Sequence, residues 1–237
     1  MTESSVQQSN DRAKTVLESL RAGLIVSCQA YSGEPLRVPG AMRLIAQSVL
    51  NGGAAGILAQ GLADLRDIRS ITDVPLIGLW KDGPPGVHIT PTASHAVAVV
   101  GTGADIVAID ATLRPRPDGK PLSHSIDAVH AANRLVMANV STEEEGCSAA
   151  DLGADFVSTC LAGYTPYSLR VDGPDFDLIE RLASILAIPV IAEGRIATLS
   201  HAARAFSCGA YAILVGRAIT NPTRITQRFI SELERLR

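Results

Sequence analysis

One short phrase recurs along this chain, and each recurrence dictates a helix end followed at once by a buried strand. It reads Gly103-Ala-Asp-Ile-Val-Ala-Ile-Asp110, Gly153-Ala-Asp-Phe-Val-Ser-Thr159 and Gly209-Ala-Tyr-Ala-Ile-Leu-Val215, with a looser version in Asn51-Gly-Gly-Ala-Ala-Gly-Ile-Leu-Ala59. Glycine supplies the left-handed residue that closes a helix. An aliphatic run too short for a helix, yet apolar at consecutive positions, is a strand covered on both faces. Two further runs are led by proline and stopped by a charge: Pro75-Leu-Ile-Gly-Leu-Trp-Lys81 and Ile188-Pro-Val-Ile-Ala-Glu193-Gly-Arg195. With Gly23 to Gln29 and Leu135 to Asn139, the count is eight strands.

Amphipathic segments fall between the strands, at Ala41 to Leu50, Leu62 to Ser70, Ala93 to Gly101, Ser123 to Asn133, Thr142 to Leu152, Asp175 to Leu186 and Leu199 to Cys208. A last one, Pro222 to Leu236, closes the chain, and a helical lead around Lys14 to Arg21 precedes the first strand. Eight strands alternating with helices in 237 residues predict the α/β class and a single-domain (β/α)₈ TIM barrel over residues 13–237, with residues 1–12 as a flexible lead. An open doubly wound sheet would ordinarily use fewer strands, and no linker divides the chain in two.

Composition narrows the function. Aromatics make up only 4%, which disfavours a base-stacking surface, and a net charge of −3 carries no basic bias, so nucleic acid is not an expected partner. No apolar run approaches a membrane span and residues 1–12 lack the apolar core of a secretory signal. Cys28, Cys147, Cys160 and Cys208 lie far apart without a CxxC pair, as in a reduced, cytoplasmic protein. A homodimer is the default assembly for such a chain.

In a parallel barrel the carboxyl ends of the strands share one rim, and chemistry gathers there. The residues at those ends are Gln29, Leu58 to Gln60, Lys81, Asp110, Asn139, Thr159, Glu193 and Gly216. Lys81 and Glu193 form the candidate catalytic pair. Leu79 and Trp80 are expected to shield the Lys81 amine from water. Gln29, Asp110, Asn139, Thr159 and Arg114 are candidate substrate ligands. Long loops at Ala30 to Gly40, Lys81 to Thr92, Leu113 to Ser123 and Leu161 to Pro174 all follow strand ends, as a substrate site on that rim requires. Barrels of this kind bind phosphate after strands seven and eight, where Gly194 with Arg195 and Gly216 with Arg217 fall. The five histidines are scattered, so no transition-metal site is expected. Arg114 and Arg116, between prolines, are expected to clasp a ligand or a neighbouring subunit. The run Glu143 to Glu145 fits the first turn of a helix.

These residues resemble a known family. Ile25-Val-Ser-Cys-Gln29, Ile89-Thr-Pro-Thr92, Asp110-Ala-Thr with Arg114-Pro-Arg-Pro117, Ser141-Thr142, Leu161-Ala-Gly-Tyr-Thr165, Ile191-Ala-Glu-Gly-Arg195 and Ala218-Ile-Thr220 are similar to strings of the N-acetylmannosamine-6-phosphate 2-epimerases. The resemblance runs from about Gly23 to about Phe229. It implies a (β/α)₈ barrel without metal or organic cofactor, acting on a phosphorylated amino sugar in sialic acid catabolism, with the catalytic roles on Lys81 and Glu193. Three positions depart from it: Leu58 and Asn221 stand where the family usually has arginine, and Asn139 where it has aspartate. Arg217, where the family has a small residue, is a candidate replacement cation. Three other readings remain open on the sequence: an epimerase acting on a changed hexosamine phosphate or a related ketose phosphate, an aldolase-like barrel in which Lys81 forms a Schiff base, and a sugar-phosphate binding protein without turnover.

Overall fold

The structure is a computed structural model that describes residues 3–236; Met1 and Thr2, at the start of the lead read from the sequence, and Arg237 lie outside it. Eight parallel strands close in sequence order into one barrel. They are β1 (Leu24–Cys28), β2 (Gly56–Gln60), β3 (Leu76–Leu79), β4 (Ile106–Asp110), β5 (Leu135–Asn139), β6 (Phe156–Ser158), β7 (Val190–Glu193) and β8 (Ala212–Val215). The helices are α1 (Glu3–Leu20), α2 (Ala41–Asn51), α3 (Leu62–Arg69), α4 (Ala93–Val100), α5 (Leu122–His130), α6 (Glu143–Asp151), α7 (Phe176–Ile185), α8 (Leu199–Ser207), α9 (Arg217–Thr220) and α10 (Pro222–Arg235). The expected single-domain barrel is what forms. The helical lead is longer than the sequence reading gave it, since Lys14 falls well inside α1.

The recurrent phrase does the same work each time. Its glycine is left-handed, with φ of 90° at Gly53, 88° at Gly103, 94° at Gly153 and 90° at Gly209. The alanine that follows is buried, and Ala54, Ala154 and Ala210 return their N–H to Val49, Ala149 and Ala205, closing the last helical turn. The next residue then opens a rung of the barrel: Ala55, Asp105, Asp155 and Tyr211 donate N–H to Leu24, Leu76, Val136 and Val190 of the preceding strand. Between α5 and β5 no glycine is available, and Asn133 takes the left-handed position at φ 54°.

Strand residues alternate between two cores. Ile25, Leu58, Ile77, Leu79, Ile106, Ala108, Met137, Phe156, Ile191, Ala212 and Leu214 fill the barrel interior, whereas Val26, Ile57, Val107, Ile109, Val136, Ala138 and Val157 face the helices. The period of two decides which strand-end residues reach the mouth. The acidic run begins α6 as expected, and Glu145 goes further. Fully buried, it caps α6 with Thr142 and accepts N–H bonds from Leu113 (3.0 Å) and Ser141 (2.7 Å), tying the loop after β4 to the one after β5.

Candidate active site

Lys81 sits just beyond β3, where the chain doubles back and pairs with itself through Ile89. The doubling is held at Thr90, a β-branched residue at φ 46°, a strained conformation for its type. Its N–H donates to Trp80 O (2.8 Å), its hydroxyl donates to Ala108 O (2.7 Å), and Trp80 N–H donates to that hydroxyl (3.2 Å). Three bonds therefore anchor the residue next to the amine. Lys81 Nζ donates to Gln29 Oε1 (2.9 Å) and to the Tyr31 hydroxyl (3.3 Å) and lies 4.7 Å from the centre of the Tyr31 ring. Gln29 is braced in turn by its Nε2 donating to Ser27 Oγ (2.8 Å). Leu79 lies beneath on the interior side. Trp80 does not shield the amine as expected: alternation turns it outward, where it packs on His95 with ring centres 4.6 Å apart.

Glu193 ends β7 with its side chain on the interior parity. Ser158 Oγ donates to Glu193 Oε2 (2.7 Å), and the Cys160 thiol donates to the same carboxylate. Burial pushes the Glu193 carboxyl above its ordinary value, against the pull of those two donors and of the Lys81 charge. The Lys81 charge thus reaches Glu193 across one mouth. Burial also drives the Cys160 thiol well above its ordinary value, so it stays a neutral donor.

The other expected ligands divide into two groups. Asn139 is 1% exposed, on the interior parity between Asp110 and Ser158 in the sheet, and neither Oδ1 nor Nδ2 has a partner among the described residues. A buried amide left so is costly unless something else completes it. Asp110 is fully buried and already satisfied: Oδ1 accepts from Thr112 N (3.1 Å) and Oγ1 (2.7 Å), and Oδ2 from Arg114 Nη2 (2.7 Å). Arg114 and Arg116 turn inward, Arg116 bonding the carbonyls of Asp110 and Pro91, so both guanidinium groups pin the loop after β4. Thr159 lies on the outer parity with Val157, and its hydroxyl joins Glu193 main chain, donating to O (2.8 Å) and accepting from N (3.1 Å). It positions Glu193 from behind.

At the seventh and eighth strand ends, Gly194 has φ 105° and Gly216 leads into the four-residue α9, whose Thr220 hydroxyl donates to Ser27 O (2.8 Å). Arg195 Nε and Nη1 bond the carbonyls of Gly173 (2.5 Å) and Ala162 (2.8 Å), which fastens the loop after β6. Arg217 is exposed, with its guanidinium 4.9 Å from the Tyr31 ring centre. Of the three departures, Leu58 is a fully packed interior side chain, and Asn221 caps α10, accepting from Arg224 N (2.9 Å) and donating to Glu34 Oε1 (2.8 Å). Four contributors escaped the sequence reading: Ser158, Cys160, Tyr31 and Glu34. Counting alternate residues forward from Phe156 finds the first two.

Two clefts of about 440 and about 290 Å³ open at the opposite rim, among residues such as Arg21 and Tyr211 or Arg12 and Asp155. They are remote from the strand ends that carry Lys81 and Glu193, and we locate the chemistry by those groups.

Residues 42–235 match the family model NanE, N-acetylmannosamine-6-phosphate epimerase. A protein of Cutibacterium acnes named as an N-acetylmannosamine-6-phosphate 2-epimerase is 46% identical over 90% of this chain and 95% of its own. One of Caldanaerobacter subterraneus, with the same name, is 45% identical over 94% of this chain and 95% of its own. The solved N-acetylmannosamine-6-phosphate 2-epimerase of Clostridium perfringens superposes with a TM-score of 0.88 at 44% identity, covering 91% of this chain and 95% of that one. Thiamine phosphate pyrophosphorylase of Pyrococcus furiosus, at 20% identity and TM-score 0.60, shares the fold alone.

Proposed function

This chain belongs to the N-acetylmannosamine-6-phosphate epimerase family, and on that premise we propose that it interconverts N-acetylmannosamine 6-phosphate and N-acetylglucosamine 6-phosphate by moving the proton at C2. The observation that carries the proposal is the placing of an amine just beyond β3 and a burial-raised carboxyl at the end of β7 on one mouth, where the Lys81 charge bears on the carboxyl. In the open-chain sugar C2 adjoins the C1 carbonyl. Breaking its C–H bond sends the electron pair toward the carbonyl oxygen, and return of a proton on the other face inverts the carbon. Lys81 takes the proton and Glu193 supplies the returning one. The unpartnered Asn139 amide, one donor group and one acceptor, suits the sugar's hydroxyls or acetamido group. Backbone N–H groups at Gly194 and Gly216, with Arg217, are assigned the phosphate. Oxidation state is unchanged across the step, and no cofactor enters it.

Proton NMR of the protein with N-acetylmannosamine 6-phosphate in D₂O tests this directly. Conversion to the gluco epimer with deuterium at C2 is expected; a folded protein that binds the sugar without exchange would be a binding protein instead. A homodimer belongs to the same proposal, since Phe229 and Leu233 of α10 and Leu236 just past its end are exposed. A monomer mass by light scattering would remove it. No described helix is long and apolar enough to cross a membrane. The four free thiols support a cytoplasmic place in amino-sugar breakdown, which a tagged chain found elsewhere would refute.

A further inference from the structure

Tyr31 lies in the loop after β1, in a tight turn closed by Glu34 N–H donating to Tyr31 O (3.0 Å), with Gly33 at φ 84° in the position that demands a left-handed residue. The turn is locked to the neighbouring strand end, where the chain leaves β8. Glu34 Oε2 accepts from Tyr31 N (2.9 Å), and Glu34 Oε1 accepts from Asn221 Nδ2, the cap of α10. Half-buried and braced at both ends of its turn, Tyr31 presents one ring to two cations: Lys81 Nζ at 4.7 Å and the Arg217 guanidinium at 4.9 Å from its centre. Its hydroxyl also meets Lys81 Nζ. Arg217 makes no salt bridge or hydrogen bond among the described residues, so the ring is the contact that holds it at the mouth.

We propose that Tyr31 is a positioning residue that sets the Lys81 amine and the Arg217 guanidinium at a fixed separation, 4.7 and 4.9 Å from the centre of the ring they share. The mouth then reads the span between a reacting carbon and an anion, and selects phosphorylated sugars in which the two lie a few bonds apart. An aromatic face attracts both cations, which would otherwise repel each other. A substrate anion arriving at Arg217 finds the guanidinium already placed, and the amine is turned toward carbon by the phenol and Gln29. This rests on the proposed epimerase reading, and it deepens that reading by naming what sets substrate length.

Calorimetric titration with N-acetylmannosamine 6-phosphate and with unphosphorylated N-acetylmannosamine, on wild type, Tyr31→Phe, Tyr31→Leu, Arg217→Gln and the double variant Tyr31→Leu/Arg217→Gln, tests it. Tyr31→Leu and Arg217→Gln are each expected to weaken the phosphorylated sugar by roughly 10-fold, the scale of a cation–aromatic contact or a charge-assisted bond. The double variant should lose little more than either single one, because both act through the same guanidinium. The unphosphorylated sugar should bind all four within about 3-fold, a fraction of the same interaction scale. Tyr31→Phe keeps the ring, so it should keep binding while slowing C2 exchange by about 10-fold and moving a limb of the pH–rate profile.

Additive losses in the double variant, or wild-type affinity in Tyr31→Leu, would overturn the proposal. Equal weakening of both sugars would reduce Tyr31 to a structural residue and overturn it as well. Wild type that binds but does not exchange would sink the epimerase reading while leaving the binding comparisons to decide on Tyr31. Wild type that binds neither sugar would refute both.

Discussion

Lys81→Ala is expected to stop solvent deuterium from entering C2 of the sugar phosphate, lowering the turnover rate by on the order of 10³ or more, near the upper range for loss of a general base. The side chain is half-buried at the mouth and supports no interior packing, so the variant should fold as wild type does. Lys81→Arg sharpens the test. Arginine keeps the charge and the contact with Tyr31 but does not release its proton, so it should be as inactive as alanine. Substantial turnover by Lys81→Arg would mean that Lys81 acts by charge alone and that the base lies elsewhere.

Glu193→Gln is expected to divide activity from stability. Turnover should fall by roughly 10²-fold to 10⁴-fold as the proton donor is lost, and the limb of the pH–rate profile that Glu193 sets above the ordinary carboxylate range should vanish with it. Stability should move the other way. Burial raises the native carboxyl above its unfolded value, so between those two values the folded protein retains a proton that the unfolded chain has released. Stability therefore falls as pH rises through that window, and above it the native state carries a desolvated charge. Glutamine keeps an oxygen for Ser158 and Cys160 without that charge. Its melting temperature at pH 8 should exceed that of wild type by roughly 2–4 °C, the response of a chain this size to about 1 kcal/mol. A lower melting temperature would mean that the carboxylate's attraction to Lys81 outweighs its desolvation.

The barrel was legible because its signals are local. A glycine that closes a helix and an aliphatic run that must be covered on both faces lie within eight residues of one another, and no distant contact is needed to recognise them. Asn133, standing in for the glycine before β5, was harder to see for the same reason, since its side chain hides the φ it adopts. At the mouth the limit was register. Sequence position puts Thr159 at the strand end, yet the pleat sends Ser158 and Cys160 inward and Thr159 outward. One residue's displacement changes the face of a strand. Arg114, Arg116 and Arg195 are cations in rim loops, as their sequence positions indicate, but three-dimensional neighbours decide that their groups fasten carbonyls and Asp110. Tyr31 and Glu34 sit in a loop without periodicity, and their partners Lys81, Arg217 and Asn221 are distant in the chain. The four-residue α9 follows from Gly216 turning the chain, too short an element for a periodic pattern to mark.

The phrase that closes each helix and opens the next strand belongs to the rim opposite Lys81 and Glu193. What makes this chain fold and what lets it discriminate among sugars are consequently inherited by separate sets of residues. Gln29, Lys81, Asn139 and Glu193 stand at one end of the strands and the glycine–alanine turns at the other, so a substitution at the mouth leaves the helix closures untouched.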